Sequence, residues 1–160
     1  NGVAEIIKYG AIKDSFLLER MQNEFSIEDK DLEGLIAKCV NIKKYFVELD
    51  ERDENIRHAL NFGHTIGHAV ELEYDLSHGQ AISIGMVYES LLTFDRNKTR
   101  KIITALKANN LPITLPKNTK VNRVIRRIKA DKKGEFIFAF DENHYNVKIN
   151  EDILREVLSS

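Results

Sequence analysis

The chain has 160 residues, 42% of them apolar, and only two prolines, which is enough for one compact domain with a sizeable core. Its 24 basic and 25 acidic side chains leave a formal charge of −1, so no net field draws it to nucleic acid or to an anionic membrane surface. No apolar run approaches the roughly 20 residues that cross a bilayer, no signal-peptide pattern opens the chain, and the lone Cys39 cannot close an internal disulfide. These features predict a cytoplasmic protein with no membrane and no nucleic-acid partner.

The opening "NGVAEIIKYGAIKDSFLLERMQ" enters a helical pattern at once, with Val3, Ile6, Ile7, Phe16, Leu17 and Met21 at three- or four-residue intervals. Asn1 has no lead-in, which predicts a piece of a longer protein. A second, long amphipathic helix is predicted to open at Ser26, with Asp29 three positions on in a variant of the capping box. It carries Leu32, Leu35, Ile36, Cys39, Val40 and Phe46 on one face, Cys39 serving as a small core filler. The run "ELDERDEN", residues 48–55, interrupts the stripe as a solvated turn or helix end. From Ile56 to about Leu72 the pattern is helical again despite Gly63 and Gly67. Each glycine costs about 1 kcal/mol relative to alanine inside a helix, which predicts a face that another backbone or a ligand approaches closely.

"YDLSHG" breaks this pattern, and "QAISIGMVYESLLTFDRN" resumes it with an apolar surface nearly all round, as expected of a buried central helix. A shorter helix from about Arg100 to Ala108 ends at "NNLP". Pro112 and Pro116 bracket an extended connector, after which Thr119 can cap "KVNRVIRRIKA". "GEFIFAF" and "YNVKI", joined by "DENH", read as a β-hairpin, and "NEDILREVLSS" as a last helix capped by Asn150. The predicted architecture is mainly α with one small β-hairpin, a single domain over residues 1–160. It contains no parallel βαβ pattern and no glycine-rich turn after a strand to hold a dinucleotide.

Three of the five histidines, His64, His68 and His78, fall within one short stretch. On a helix His64 and His68 project from one face about 6 Å apart along the axis, so both can reach one small site. A catalytic zinc takes nitrogen or oxygen donors at about 2.0–2.2 Å, commonly three from the protein, and leaves a position open. His78, read as a loop residue, can fold back toward the helix. A third donor would be a carboxylate, and spacing alone leaves Glu71, Glu73 and Glu5 open. Without the glutamate of the HExxH pattern, a pair of histidines four apart is a weak signal by itself. His58 and His144 lie among charged residues and read as solvated.

Longer motifs narrow the choice. "RHALNFGHTIGHAVE" followed by "SHGQAISIGM" resembles the signature of the 3-dehydroquinate synthase family, and "NGVAEIIKYGAI" and "DERDENIR" resemble further parts of it. The resemblance covers nearly the whole chain and implies the helical C-terminal domain of that fold. The N-terminal α/β domain that holds most of the NAD surface would lie outside these residues. It implies a divalent cation, Zn2+ or Co2+, on Glu5, His64 and His78, with His68 beside the substrate phosphate rather than on the metal. Polar substrate contacts would fall on Lys8, Lys43, Arg57, Asn61 and Lys132, the last preferred to Lys133. Arg57 and Asn61, seven and three residues before His64, would share nearly one helix face with it. Gln80 departs from the glutamate usual after "HG", and the loop from His68 to His78 is compact.

The implied activity is that of a phosphorus–oxygen lyase of the shikimate pathway, feeding chorismate and aromatic amino acid biosynthesis. The substrate, the sugar acid phosphate 3-deoxy-D-arabino-heptulosonate 7-phosphate, becomes 3-dehydroquinate with loss of phosphate. Bound NAD takes hydride from a secondary alcohol, assisted by the cation as a Lewis acid. The carbon beside the new ketone becomes acidic, phosphate leaves by β-elimination, hydride returns, and an intramolecular aldol step closes the ring. A homodimer is implied for the full-length enzyme, and an isolated C-terminal piece is expected to be inactive and to expose apolar surface that its other domain covers. Competing readings are a related cyclase such as 2-deoxy-scyllo-inosose synthase, a metal-dependent polyol dehydrogenase domain, and a helical metal-binding module with no activity.

Overall fold

The structure, a computed structural model, describes residues 1–26, 28 and 30–160. Eight α-helices are seen among them: α1 (Gly2–Ile12), α2 (Ser15–Arg20), α3 (Leu32–Leu49), α4 (His64–Glu73), α5 (His78–Leu91), α6 (Arg96–Ala108), α7 (Val121–Asp131) and α8 (Glu151–Leu158). A 3-10 helix, Ile56–Asn61, precedes α4, and strands β1 (Ile137–Phe138) and β2 (Val147–Lys148) follow α7. The protein is mainly helical, with one antiparallel hairpin that pairs Ile137 with Lys148 and Phe138 with Val147.

Helix α5 is the axis of the fold. Ala81, Ile82, Ile84, Met86, Val87 and Tyr88 are all buried, so every side of it meets another element. It packs on α4, α1, α6 and α8, as its lack of a polar face requires. A short connector makes α4 and α5 antiparallel neighbours, and here the glycines find their use. A Cβ on Gly67 would meet Ile82 Cδ1 at 2.9 Å and the Ala81 carbonyl oxygen at 3.1 Å. One on Gly85 would stand 1.9 Å from the Gly63 carbonyl oxygen. The predicted close approach is therefore of one helix backbone to another.

Several boundaries differ from the sequence reading, each for a local reason. The stretch from Ile56 to Leu72 is not one helix, because Gly63 adopts φ +79 and separates the 3-10 turn from α4. Arg57 and Asn61 consequently do not share a helix face with His64. The opening segment breaks between Lys13 and Asp14, where the Asp14 side chain accepts the Leu17 N–H and starts α2. Phe16 then points outward, 77% exposed. Helix α3 begins at Leu32 instead of Ser26, and Asp29, half of the expected capping box, lies outside the described residues. Its apolar stripe splits, Leu35, Ile42 and Phe46 facing the core while Ile36 and Val40 are exposed. Cys39 packs partly buried against the core, and burial pushes its thiol up to about 11.

The helix expected from Arg100 begins at Arg96, capped by Asp95 through the Lys98 N–H. Thr119 does not cap α7; its hydroxyl donates to the Pro116 carbonyl. Asn150 does cap α8, accepting the Asp152 N–H. In the acidic turn after α3, Asp50 is buried rather than solvated, and it accepts the N–H groups of Glu54, Asn55 and Arg57. Among the described residues no helix is long and apolar enough to cross a membrane.

Candidate metal centre

Three helices deliver three donors to one point. Glu5 comes from the first turn of α1, His64 is the first residue of α4, and His78 is the first residue of α5 rather than part of a loop. The start of α1 is fastened to the start of α5, because the Asn1 side chain accepts the Gly79 N–H at 2.8 Å. Gly79 permits this contact, since a Cβ there would meet Asn1 at 2.7 Å. The α5 start is itself fixed by a full capping box: the Ser77 hydroxyl accepts the Gln80 N–H while the Gln80 side chain accepts the Ser77 N–H. Gln80, the departure from the family pattern, thus fills the capping position as well as a glutamate would.

Glu5 Oε1 lies 3.3 Å from His64 Nε2 and 3.4 Å from His78 Nε2, and the three donor atoms all fall within 4.8 Å of one another. Donors about 2.1 Å from a tetrahedral ion stand about 3.4 Å apart, so both measured edges are those of a zinc-sized site. The remaining polar atoms of all three side chains are engaged elsewhere. Glu5 Oε2 receives Lys8 Nζ at 2.7 Å, His64 Nδ1 faces the Phe62 carbonyl oxygen at 3.0 Å, and His78 Nδ1 faces Glu71 Oε2 at 3.3 Å. With a cation bound, an Nδ1–H donated outward would leave the Nε2 lone pair of each imidazole for the shared point; without one, His64 Nε2 faces the Glu5 carboxylate as a hydrogen-bond donor. Burial pushes the Glu5 carboxyl up, but the hydrogen bond from His64 and the charge and hydrogen bond of Lys8 outweigh it and bring it to about 2. The donor set fits a divalent cation that keeps an open position.

His68 lies outside this triad, its ring 5.3 Å from that of His64 and 6.1 Å from that of His78. Burial, and then the neighbouring His64, hold its imidazole below the usual pKa and so favour the neutral form. His68, Glu71 and His78 also offer donors within 4.8 Å, but that set would draw on the His78 nitrogen already facing Glu71. Asn61, Thr65 and Lys132 line a cavity of about 170 Å³ under the hairpin, and Thr65 and His68 line an adjoining one of about 210 Å³. Lys133 lines neither. Lys8 is buried in the centre against Glu5 and the Tyr9 ring. Lys43 stands exposed on α3, and the Arg57 guanidinium has no hydrogen bond or ion pair among the described residues. Among the described residues, roomier clefts, such as one of about 380 Å³ between the hairpin and α5–α6, contain no three-donor group.

Sequence reasoning passed over Thr65, the Phe62 carbonyl and Glu89, and it weighed Glu71 only as a ligand. The glutamate inside the apolar run of α5 was a visible signal, because a carboxylate on an all-buried helix needs a partner.

Solved structures share this fold. The chain superposes on 2-deoxy-scyllo-inosose synthase, solved with carbaglucose-6-phosphate, NAD+ and Co2+, with a TM-score of 0.77 at 20% identity, covering 98% of this chain and 49% of that one. The chain thus shares the fold of the matching half of that protein.

Sequence comparison is more specific. The family description "3-dehydroquinate synthase C-terminal" matches residues 2–134. The 3-dehydroquinate synthase of Thermodesulfovibrio yellowstonii is 39% identical over 173 residues, covering 99% of this chain and 48% of the relative. That of Clostridium kluyveri is 39% identical over 147 residues, covering 84% and 40%. This chain belongs to the 3-dehydroquinate synthase family. It spans about half the length of the curated relatives it matches.

Proposed function

We propose that this chain is the metal- and substrate-binding helical half of a 3-dehydroquinate synthase, the phosphorus–oxygen lyase that turns 3-deoxy-D-arabino-heptulosonate 7-phosphate into 3-dehydroquinate in the shikimate pathway. The observation that carries the reading is the convergence of Glu5, His64 and His78 at tetrahedral-edge distances. On this reading they hold Zn2+ or Co2+, and NAD binds mainly to an N-terminal α/β domain outside these residues. The cation, when bound, supplies Lewis acidity to substrate oxygens.

The chain's own residues bind and orient. Two anionic ends of the substrate need holding. The unengaged fork of Arg57, with Lys43, suits the carboxylate, whereas Asn61, Lys132 and the His68 imidazole border adjoining cavities that suit the phosphate. Lys8 gives one hydrogen bond to Glu5 and retains donors for a substrate oxygen. The exposed Phe16, Ile36, Val40 and Leu49 are surface for the other domain to cover.

The superposed structures favour a second reading, a cyclase acting on a hexose phosphate without a carboxylate. A turnover assay separates the two. Combined with its NAD-binding half, the protein should release phosphate from the heptulosonate with formation of dehydroquinate. Release from a hexose phosphate but not from the heptulosonate would overturn the synthase assignment. The 160 residues alone should show no turnover, and NAD-dependent cyclisation by them would refute the division of labour proposed here.

A further inference from the structure

The ring orientation of His64 leads back to a residue outside the centre. The peptide unit between Phe62 and Gly63 is bonded on both sides: its carbonyl faces His64 Nδ1 at 3.0 Å, and its N–H donates to Glu89 Oε2 at 2.7 Å. A peptide is planar and rigid, so fixing its N–H fixes the direction of its carbonyl. The other oxygen, Glu89 Oε1, accepts the Ile66 N–H at 2.8 Å. One carboxylate therefore holds both the turn before α4 and the first turn of that helix.

The placement is a built one. Glu89 is fully buried on α5, one turn beyond Gly85, where the α5 backbone lies against Gly63. Burial pushes its carboxyl up to about 8, while the N–H groups of Ile66 and Gly63 pull the other way. No ion pair to Glu89 is seen among the described residues; the backbone donors, and after them the charge of Lys132, favour its ionised form. A side chain this costly to bury suits a position where an apolar residue would leave two N–H groups without partners.

We propose that Glu89 is a positioning residue for the cation centre, acting on His64 through the Phe62–Gly63 peptide. An acceptor oxygen on the Gly63 N–H polarises the amide and strengthens the Phe62 carbonyl as an acceptor. With a cation at the centre, this would keep the His64 proton on Nδ1 and leave the Nε2 lone pair for the cation.

This inference rests on the reading of Glu5, His64 and His78 as cation ligands, and Co2+ titration followed by visible absorption tests the two separately. The full chain should bind Co2+, and Glu89→Gln, which keeps the volume but can no longer offer two carboxylate oxygens, should bind it about tenfold more weakly with shifted bands, the low end of the 10–100-fold seen when an outer partner of a ligand is lost. A helix cap with no hold on the centre would lower the melting temperature and leave the Co2+ spectrum unchanged; that result in a folded Glu89→Gln overturns the inference alone. A wild-type chain that takes up no Co2+ overturns the cation reading, and this inference with it. If Glu89→Gln does not fold, nitrogen NMR of His64 in the unaltered Zn2+-loaded chain decides the matter. Coordination through Nε2 with a hydrogen-bonded Nδ1–H is expected, and coordination through Nδ1, or an Nδ1–H without a hydrogen bond, overturns the relay.

Discussion

Gly85 lies against Gly63 so closely that a methyl group on Gly85 would stand 1.9 Å from the Gly63 carbonyl oxygen and 2.8 Å from the Gly67 nitrogen. The obstacle is backbone on both sides and cannot rotate away. Gly85→Ala should therefore cost at least the upper part of the usual overpacking range of about 1–3 kcal/mol, read as a lowered urea midpoint. Gly67→Ala meets first the flexible end of Ile82, at 2.9 Å, and should cost less. Equal losses for the two would contradict this packing.

The centre predicts a contrast among the histidines. Glu5→Ala, His64→Ala and His78→Ala should each reduce bound Zn2+ or Co2+ by more than the 10–100-fold expected for an outer partner, whereas His68→Ala should retain it. Metal analysis after dialysis, or calorimetric titration, reads the difference. Loss of metal in His68→Ala with retention in Glu5→Ala would move the cation to the His68–Glu71–His78 group.

Ser77 caps the helix whose first residue is His78. Ser77→Ala should destabilise the fold by about 1 kcal/mol and, by fraying the first turn of α5, weaken cation binding as well. Asn150→Ala removes a comparable cap from α8, which bears no ligand, and should lower stability with cation affinity unchanged. The pair separates a lost cap from a displaced ligand.

Asp50 sets an acid limb. Burial raises its carboxyl, but the N–H groups of Asn55, Glu54 and Arg57 outweigh this and hold it below the ordinary 3.8. A carboxyl depressed in the folded state contributes stability that is present above the unfolded value and is lost as pH falls through the folded one. Stability should therefore decline below pH 3.8, and Asp50→Asn should make that decline shallower. Urea midpoints across this range would show it, and an unchanged slope would exclude Asp50 as a contributor.

Much of the architecture was legible because periodicity and caps acted locally. The apolar surround of "QAISIGMVYESLL" requires a helix buried on all sides, and the Asn150 cap and the hairpin follow from residues close to where they act. Features decided by distant partners were not legible. The break at Gly63 depends on α5 lying beneath it, and the exposure of Phe16 depends on Asp14 starting a new helix. Spacing showed that His64 and His68 share a face but could not identify the carboxylate. Glu5 is brought to His78 by the Asn1–Gly79 contact, a pairing across most of the intervening chain. Glu89 was visible as an oddity in an apolar run, and only the position of the Phe62–Gly63 peptide gave it a partner.

The three donors belong to α1, α4 and α5, which approach one another only in the assembled tertiary structure. A cation held by these three would therefore be captured only once the helices have assembled, and its binding free energy would add to that of the native state. Chelation of such a cation should thus render the chain easier to melt and quicker to digest.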